Sequence, residues 1–225
     1  EGLAHIVPQR GRPVAILATG DPMHYGVGAS LAERISIEEM VIIPAPSAFS
    51  VAASRLGWAL QDVHCISLHG RPLETLFAAL QPDARLLVLT SDGEAPSQIM
   101  SLLLQAGYGP SQVTVLENLG GEDEASHQLL AEEHSFDNFA ALNVMAVQCI
   151  AEEDVQHLPL IPGLPDGAFL HDGQMTKREV RAMTLAALAP APGERLWDVG
   201  AGCGSVAIEW LRAAPRSSAV AFERD

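Results

Sequence analysis

LWDVGAGCGSVAIEW, residues 196–210, carries an apolar run into three alternate glycines, Gly200, Gly202 and Gly204, and then into a helical pattern. Glycine lets the backbone turn sharply and leaves room for a ligand against a helix N-terminus. The next strand-like run, Ala219 to Glu223, ends on a carboxylate. An acid placed there can accept two hydrogen bonds from a ribose diol. Strand, glycine loop, helix and strand in that order are the signature of a parallel α/β unit.

Dinucleotide sites and S-adenosylmethionine (SAM) sites share these features, and two details separate them. The glycines are spaced GxGxG, not GxGxxG, and Asp198 stands two residues before the first of them. A carboxylate in that position suits a cationic sulfonium and ammonium and repels a pyrophosphate. A tight strand-to-helix turn without a ligand is the plain alternative for the same glycines. Cys203, inside the loop, has no base or cation beside it in sequence and reads as a small packing residue.

The rest of the chain sets the limits. Its 225 residues are 48% hydrophobic and 18% charged, enough apolar material for a sizeable core and too much for disorder. No apolar run reaches the ~18 residues of a membrane-spanning helix. EGLAHIVPQRGRP at the start has no signal-peptide pattern. A net charge of −15 opposes binding to nucleic acid, which rewards neutralised phosphates. Cys65, Cys149 and Cys203 are an odd set without CxxC spacing, and the eight histidines form no HExxH. Neither a disulfide framework nor a metal site is expected, and a reducing cytoplasm fits.

Charge divides the chain. Residues 1–155 hold six arginines, no lysine and 20 acids, a net −14, whereas residues 156–225 are close to neutral at −1. Between them HLPLIPGLPDGAFLHDGQM is rich in proline and glycine and reads as a semi-rigid linker. The expected organisation is a first domain over 1–155, a linker over 156–175 and a second domain over 176–225.

In the first domain, short apolar runs predict strands at Val14–Thr19, Met40–Ile43, Val63–Leu68, Arg85–Thr90, Val113–Leu116 and Leu142–Cys149. Helical patterns predict helices at Val27–Ile35, Ala48–Leu56, Leu73–Leu80, Pro96–Gln105 and Glu124–Glu132, the last with Glu122, Asp123 and Glu124 at its N-terminus. The alternation predicts a largely parallel sheet. In the second domain Thr176 and Glu179 form a capping-box pattern before an apolar face. Two strands cannot make a stable sheet alone, so a domain cut short is expected. Trp197 and Trp210, flanking the loop, are expected in the core.

DVGAGCGSVAIEW, preceded by GLPDGAF and DGQMTKREVRAMTLAAL, closely resembles the decarboxylating precorrin methyltransferase domain of cobalamin biosynthesis, over residues 163–225. The resemblance implies SAM contacts from Thr176, from Gly200, Ala201, Gly202, Cys203 and Gly204, and from Glu223. Upstream, LATGDPMHYGVG (17–28) is followed by IIPAPSAFSVAASRLGW, SLHGRP, VLTSDGEAP and VLENLGGEDE. Alone, Gly20-Asp21-Pro22 is an ordinary turn string, but ligands in α/β folds bind at such turns. In this order the strings resemble the tetrapyrrole (corrin and porphyrin) methylase family, in its precorrin C-5 branch, over roughly residues 1–152. Members of that family open with a strand and a glycine-proline loop upstream of anything present here.

The resemblance implies an α/β tetrapyrrole-methylase-like domain followed by a truncated, Rossmann-like class I methyltransferase domain. It implies Gly20, Asp21 and Pro22 as a SAM-binding loop, Tyr25 at its far side, Ser47 and Ala48 beside the methionine moiety, and Asp92 as a third wall. Arg71, in the loop His69-Gly70-Arg71-Pro72, could meet a substrate carboxylate as a bidentate partner, or could be a solvated loop arginine. The expected activity is SAM-dependent methylation of a precorrin at C-5 and C-15, with loss of the C-12 acetate carboxyl as CO2. No catalytic base stands out. A homo-oligomer without nucleic-acid or membrane partners is expected. Two rivals stay open: a SAM- or tetrapyrrole-binding fragment without activity, and an NAD-dependent oxidoreductase, which would want the GxGxxG spacing.

Overall fold

The computed structural model describes residues 9, 11–133, 138–155 and 158–224. It forms two compact units, Glu1–Val155 and Gln156–Asp225.

The first unit is built on five strands: β1 (His64–Ser67), β2 (Arg85–Leu89), β3 (Gln112–Glu117), β4 (Ala125–Leu130) and β5 (Asn143–Gln148), in the order β1-β2-β5-β3-β4. Only β1 and β2 pair in parallel, while β2–β5, β5–β3 and β3–β4 are antiparallel. The sheet is therefore mixed, not largely parallel. Among the described residues three α-helices accompany it: α1 (Val27–Ala32), α2 (Ala48–Leu56) and α3 (Ala95–Gln105). Leu73–Ala78 is a 3₁₀ helix instead of an α-helix.

Side chains alternate across a pleated strand, and the central strands use both faces. Leu86 and Val88 of β2, with Met145 and Val147 of β5, join Ile99, Met100 and Leu103 of α3 in one core. Leu87, Val144 and Ala146 point the other way and pack with Phe49, Ala52 and Ala53 of α2. The sheet is thus covered by α3 on one face and α2 on the other.

Two expected strands are absent. Residues 14–19 and 40–43 lie in no sheet ladder among the described residues, and Leu17 and Val41 are 97% and 92% exposed. Apolar patterning supplies a face to bury; a strand also requires a hydrogen-bonded neighbour. Residues 124–132, expected as a helix, instead contain edge strand β4. Asn118 and Gly120 hold positive φ, 48° and 80°, and turn the chain back so that β4 pairs with β3. Glu124 therefore caps no helix; it accepts from Arg55 and from the Gly120 N–H.

The second unit contains α4 (Arg178–Leu188), β6 (Arg195–Val199), α5 (Ser205–Ala213) and β7 (Ser218–Phe222). β6 and β7 are parallel, joined by α5 as crossover. The capping box does not form: Lys177 occupies the N-cap position, with no side-chain cap bond. Trp210 is buried, but Trp197 is 68% exposed, contrary to expectation.

Candidate functional sites in the two units

In the first unit one edge of the sheet gathers the C-terminal ends of β1, β2 and β3 and the N-terminal end of β5. A cleft of about 590 Å³ opens there, lined by Gly20, Asp21, Tyr25, Ser47, Ala48 and Arg71 among others. Gly20 takes φ 70°, and a β-carbon on it would stand 3.8 Å from the Pro46 carbonyl oxygen, so the 20–22 turn lies against the start of α2. Ser47 is the α2 N-cap, accepting from the Ser50 N–H at 3.2 Å.

Tyr25 also has positive φ, 56°, a conformation rare outside glycine. It is held in an aromatic cluster: His24 lies 5.3 Å from the Tyr25 ring and 5.1 Å from Phe49. The Arg71 guanidinium sits 6.0 Å from the centre of the Tyr25 ring. His69 faces the same cleft.

Two of the expected residues do not line this cleft. Pro22 does not line this cleft; its carbonyl accepts from the Ala29 N–H at 3.1 Å and so anchors α1. The Asp92 carboxylate accepts from the N–H groups of Glu94 and Ala95, both at 2.9 Å, at the start of α3. The Ser91 hydroxyl, then these two N–H groups, hold its pKa below the usual carboxylate range. Its backbone carbonyl reaches the site indirectly, accepting from Asn143 at 3.1 Å.

Sequence reasoning missed Thr90 and Asn143, both on the cleft. Thr90 Oγ1 donates to Asn143 Oδ1 at 2.7 Å, and Asn143 Nδ2 donates to Ala140 O at 2.8 Å. The available signal was a lone amide opening the apolar run of β5.

The acidity of this unit is kept off the cleft. Among the described lining residues Asp21 is the one carboxylate, and its Oδ1 accepts from the Met23 N–H at 2.7 Å. Arg71, His24 and His69 face the same space.

In the second unit β6 leads into the glycine loop, where Gly200, Gly202 and Gly204 take φ of 77°, 54° and 72°. These angles, not crowding, require glycine, since open space surrounds Gly200 and Gly202. The Gly200 N–H donates to the Phe222 carbonyl at 2.8 Å, and Gly202 N–H donates to Glu223 Oε2 at 2.6 Å. Glu223 follows β7 directly and points at the loop. Hydrogen bonds from the Arg224 and Gly202 N–H groups lower its pKa. Ala201 continues the loop, its N–H also directed at Phe222 O, and Cys203 is half-buried. Asp198 Oδ2 is buried without a hydrogen-bond partner. Thr176 stands outside the loop, just before α4, and its carbonyl accepts from Arg181.

Open space over the glycines, an orphaned carboxylate oxygen and an acid at the strand end fit a ligand carrying positive charge and a ribose. They do not suit a pyrophosphate.

Fold and loops define an α/β protein with a ligand-sized cleft in its first unit and a glycine-loop site in its second, and comparison with known proteins narrows the class. Residues 7–134 match the Tetrapyrrole (Corrin/Porphyrin) Methylases, and residues 167–225 match the Precorrin methyltransferase domain. The chain belongs to the tetrapyrrole methylase family. It is 50% identical to a Precorrin-6Y C(5,15)-methyltransferase [decarboxylating] of Sinorhizobium sp, over 98% of this chain and 54% of that one. A protein of the same description from Mycobacterium tuberculosis (strain CDC 1551 / Oshkosh) is 39% identical, over 96% and 54%. The chain therefore spans about half the length of these relatives. In fold it resembles the uroporphyrin-III C-methyl transferase of Thermus thermophilus complexed with S-adenyl homocysteine, with a TM-score of 0.51 and 20% identity, over 64% of this chain and 69% of that one.

Proposed function

We propose that the chain is part of a SAM-dependent precorrin C-methyltransferase of cobalamin biosynthesis. The first unit is the C-5 methylase domain. Residues 156–175 are the linker, and 176–225 begin the C-15 domain, which also releases the C-12 acetate carboxyl. The observation that carries this reading is 50% identity, across nearly the whole chain, to a decarboxylating precorrin C(5,15)-methyltransferase.

The site chemistry supports it. SAM supplies a methyl group already activated on a sulfonium, so the protein's part is alignment of that methyl with a ring carbon at near-attack distance. Gly20, Asp21, Tyr25, Ser47 and Ala48 would hold SAM in the first unit, and Asp198, the glycine loop and Glu223 in the second. A precorrin is a polycarboxylate. Arg71, His24 and His69 would meet its carboxylates in a cleft whose one described lining acid is Asp21. Decarboxylation draws on the conjugated macrocycle as electron sink, with the protein orienting it.

The same reading carries a cytoplasmic, homo-oligomeric enzyme. Three free thiols and no described helix long and apolar enough to cross a membrane accord with the location. Titration of SAM and of NAD into the chain tests the proposal: SAM is expected to bind in both units and NAD in neither. Binding of NAD without SAM overturns it. With the full-length enzyme, labelled methyl from SAM is expected in the precorrin, together with CO2; absence of both products rejects the activity.

A further inference from the structure

The most deeply buried charges in the second unit belong to no ligand loop. Arg181, on the first turn of α4, is 0% exposed, and Glu209, on α5, is 2% exposed. Arg181 Nε donates to Glu209 Oε1 at 2.5 Å. Burying two charges is costly unless their other hydrogen-bonding positions are also filled, and here they are filled by one segment of chain. Glu209 accepts from the N–H groups of Gly163, at 2.5 Å, and Leu164, at 3.0 Å. Arg181 donates to the carbonyls of Leu164 and Thr176 and to Asp166 Oδ1. The Phe169 ring lies 4.6 Å from the guanidinium carbon.

All five of those partners lie between residues 163 and 176. Apart from the 3₁₀ turn Asp166–Ala168, that segment has no regular structure to set its course. The ion pair sets it instead. Thr176 precedes Arg181 by five residues, and Gly204 precedes Glu209 by five. One buried pair thus ties the strap that ends at Thr176 to the helix that begins at the glycine loop.

We infer that Arg181 and Glu209 are positioning residues for the SAM site of the second unit: their ion pair fixes the 163–176 strap, and with it Thr176, relative to the Gly200–Gly204 loop. The inference rests on the reading that this loop and Thr176 hold SAM. Neither side chain needs to touch the ligand. Arg181 is suited to the task because its planar fork presents fixed donors to several acceptors at once, which a lysine ammonium does not.

The test is calorimetric titration of SAM into the full chain and into three variants, Glu209→Gln, Arg181→Lys and Glu223→Gln. Glu223→Gln identifies which binding event belongs to the second unit. Glu209→Gln and Arg181→Lys are expected to raise Kd at that event by about tenfold or more, with the number of sites per chain and the other event unchanged. Mere loss of folded protein would lower the number of sites and leave Kd as it was, which overturns positioning. Wild-type Kd and stoichiometry in both variants overturn it too, with the SAM reading intact. If wild-type protein shows no event sensitive to Glu223→Gln, the SAM reading of the second unit fails and this inference falls with it.

Discussion

Glu223 Oε2 accepts a 2.6 Å hydrogen bond from the N–H of Gly202, so the carboxylate that follows β7 is locked onto the glycine loop that follows β6. The two strands are parallel neighbours, paired Val199 to Phe222, and so finish at one edge. This geometry brings residues 21 apart in sequence together and leaves the acid beside open space over the loop.

Replacing Glu223 by Gln keeps the size and removes the charge that strengthens hydrogen bonds to a ribose diol. SAM affinity in the second unit is expected to fall roughly tenfold or more, with the first unit unaffected. Because the Arg224 and Gly202 N–H groups lower the Glu223 pKa, wild-type affinity should persist as pH falls toward the ordinary glutamate value of about 4.3. Titrations of SAM across pH check both statements; an early loss, above that value, contradicts the second.

A second pH effect belongs to stability. The Arg55 guanidinium, helped by the Gly120 N–H, holds Glu124 down to about 2. A depressed carboxyl pKa stabilises the folded state above the unfolded value, about 4.3, and that contribution disappears as pH falls from there through the folded value. An NMR titration of Glu124 should report a value near 2 in the wild type and a higher one in Arg55→Gln, still below the ordinary glutamate range because the Gly120 N–H bond remains. The variant should lose stability relative to wild type at neutral pH, with the difference vanishing in strong acid.

Burial pushes the Cys149 thiol up to about 12, and the residue is 0% exposed. Thiolate is the reactive form. At pH 8, Cys149 should therefore resist a disulfide reagent until the first unit unfolds, which mass spectrometry of modified peptides would show. Fast labelling in the native chain would contradict its place in the core.

What could be read from the sequence is what the backbone itself demands locally. The alternating glycines, the acid after β7 and the apolar runs of β2, β3 and β5 each state a conformation within a few residues. The misreadings share another cause. Residues 14–19 and 40–43 have a strand's composition, but pairing is a property of neighbours. Residues 124–132 read as a helix from their periodicity, while the turn at Asn118 and Gly120 decides for β4. Thr90 meets Asn143 across 53 positions, and Arg181 meets Glu209 across 28. Neither partner announces the other in sequence. Pro22 and Asp92 were placed by resemblance to the family's strings, and neither lines the cleft; which group such a residue satisfies depends on the helix that follows it.

That dependence gives a test of the first site. Gly26 has an ordinary φ of −102° as N-cap of α1, so no backbone strain requires glycine there. A β-carbon on it, however, would stand 2.4 Å from the Asp21 carbonyl oxygen and 2.6 Å from that of Pro22. Both are backbone atoms and cannot rotate away, so Gly26→Ala must push the Gly20–Pro22 turn or the start of α1 aside. If the turn holds SAM, its displacement should weaken SAM binding in the first unit by about tenfold or more, while the event sensitive to Glu223→Gln is unchanged. Ser54→Ala is the control, an exposed residue of α2 that does not line the cleft; it should leave both binding events as they are. Calorimetric titration of the two variants, with melting curves to confirm that each is folded, makes the comparison. A folded Gly26→Ala chain that binds two SAM molecules with wild-type affinities would remove the Gly20–Pro22 turn from the site.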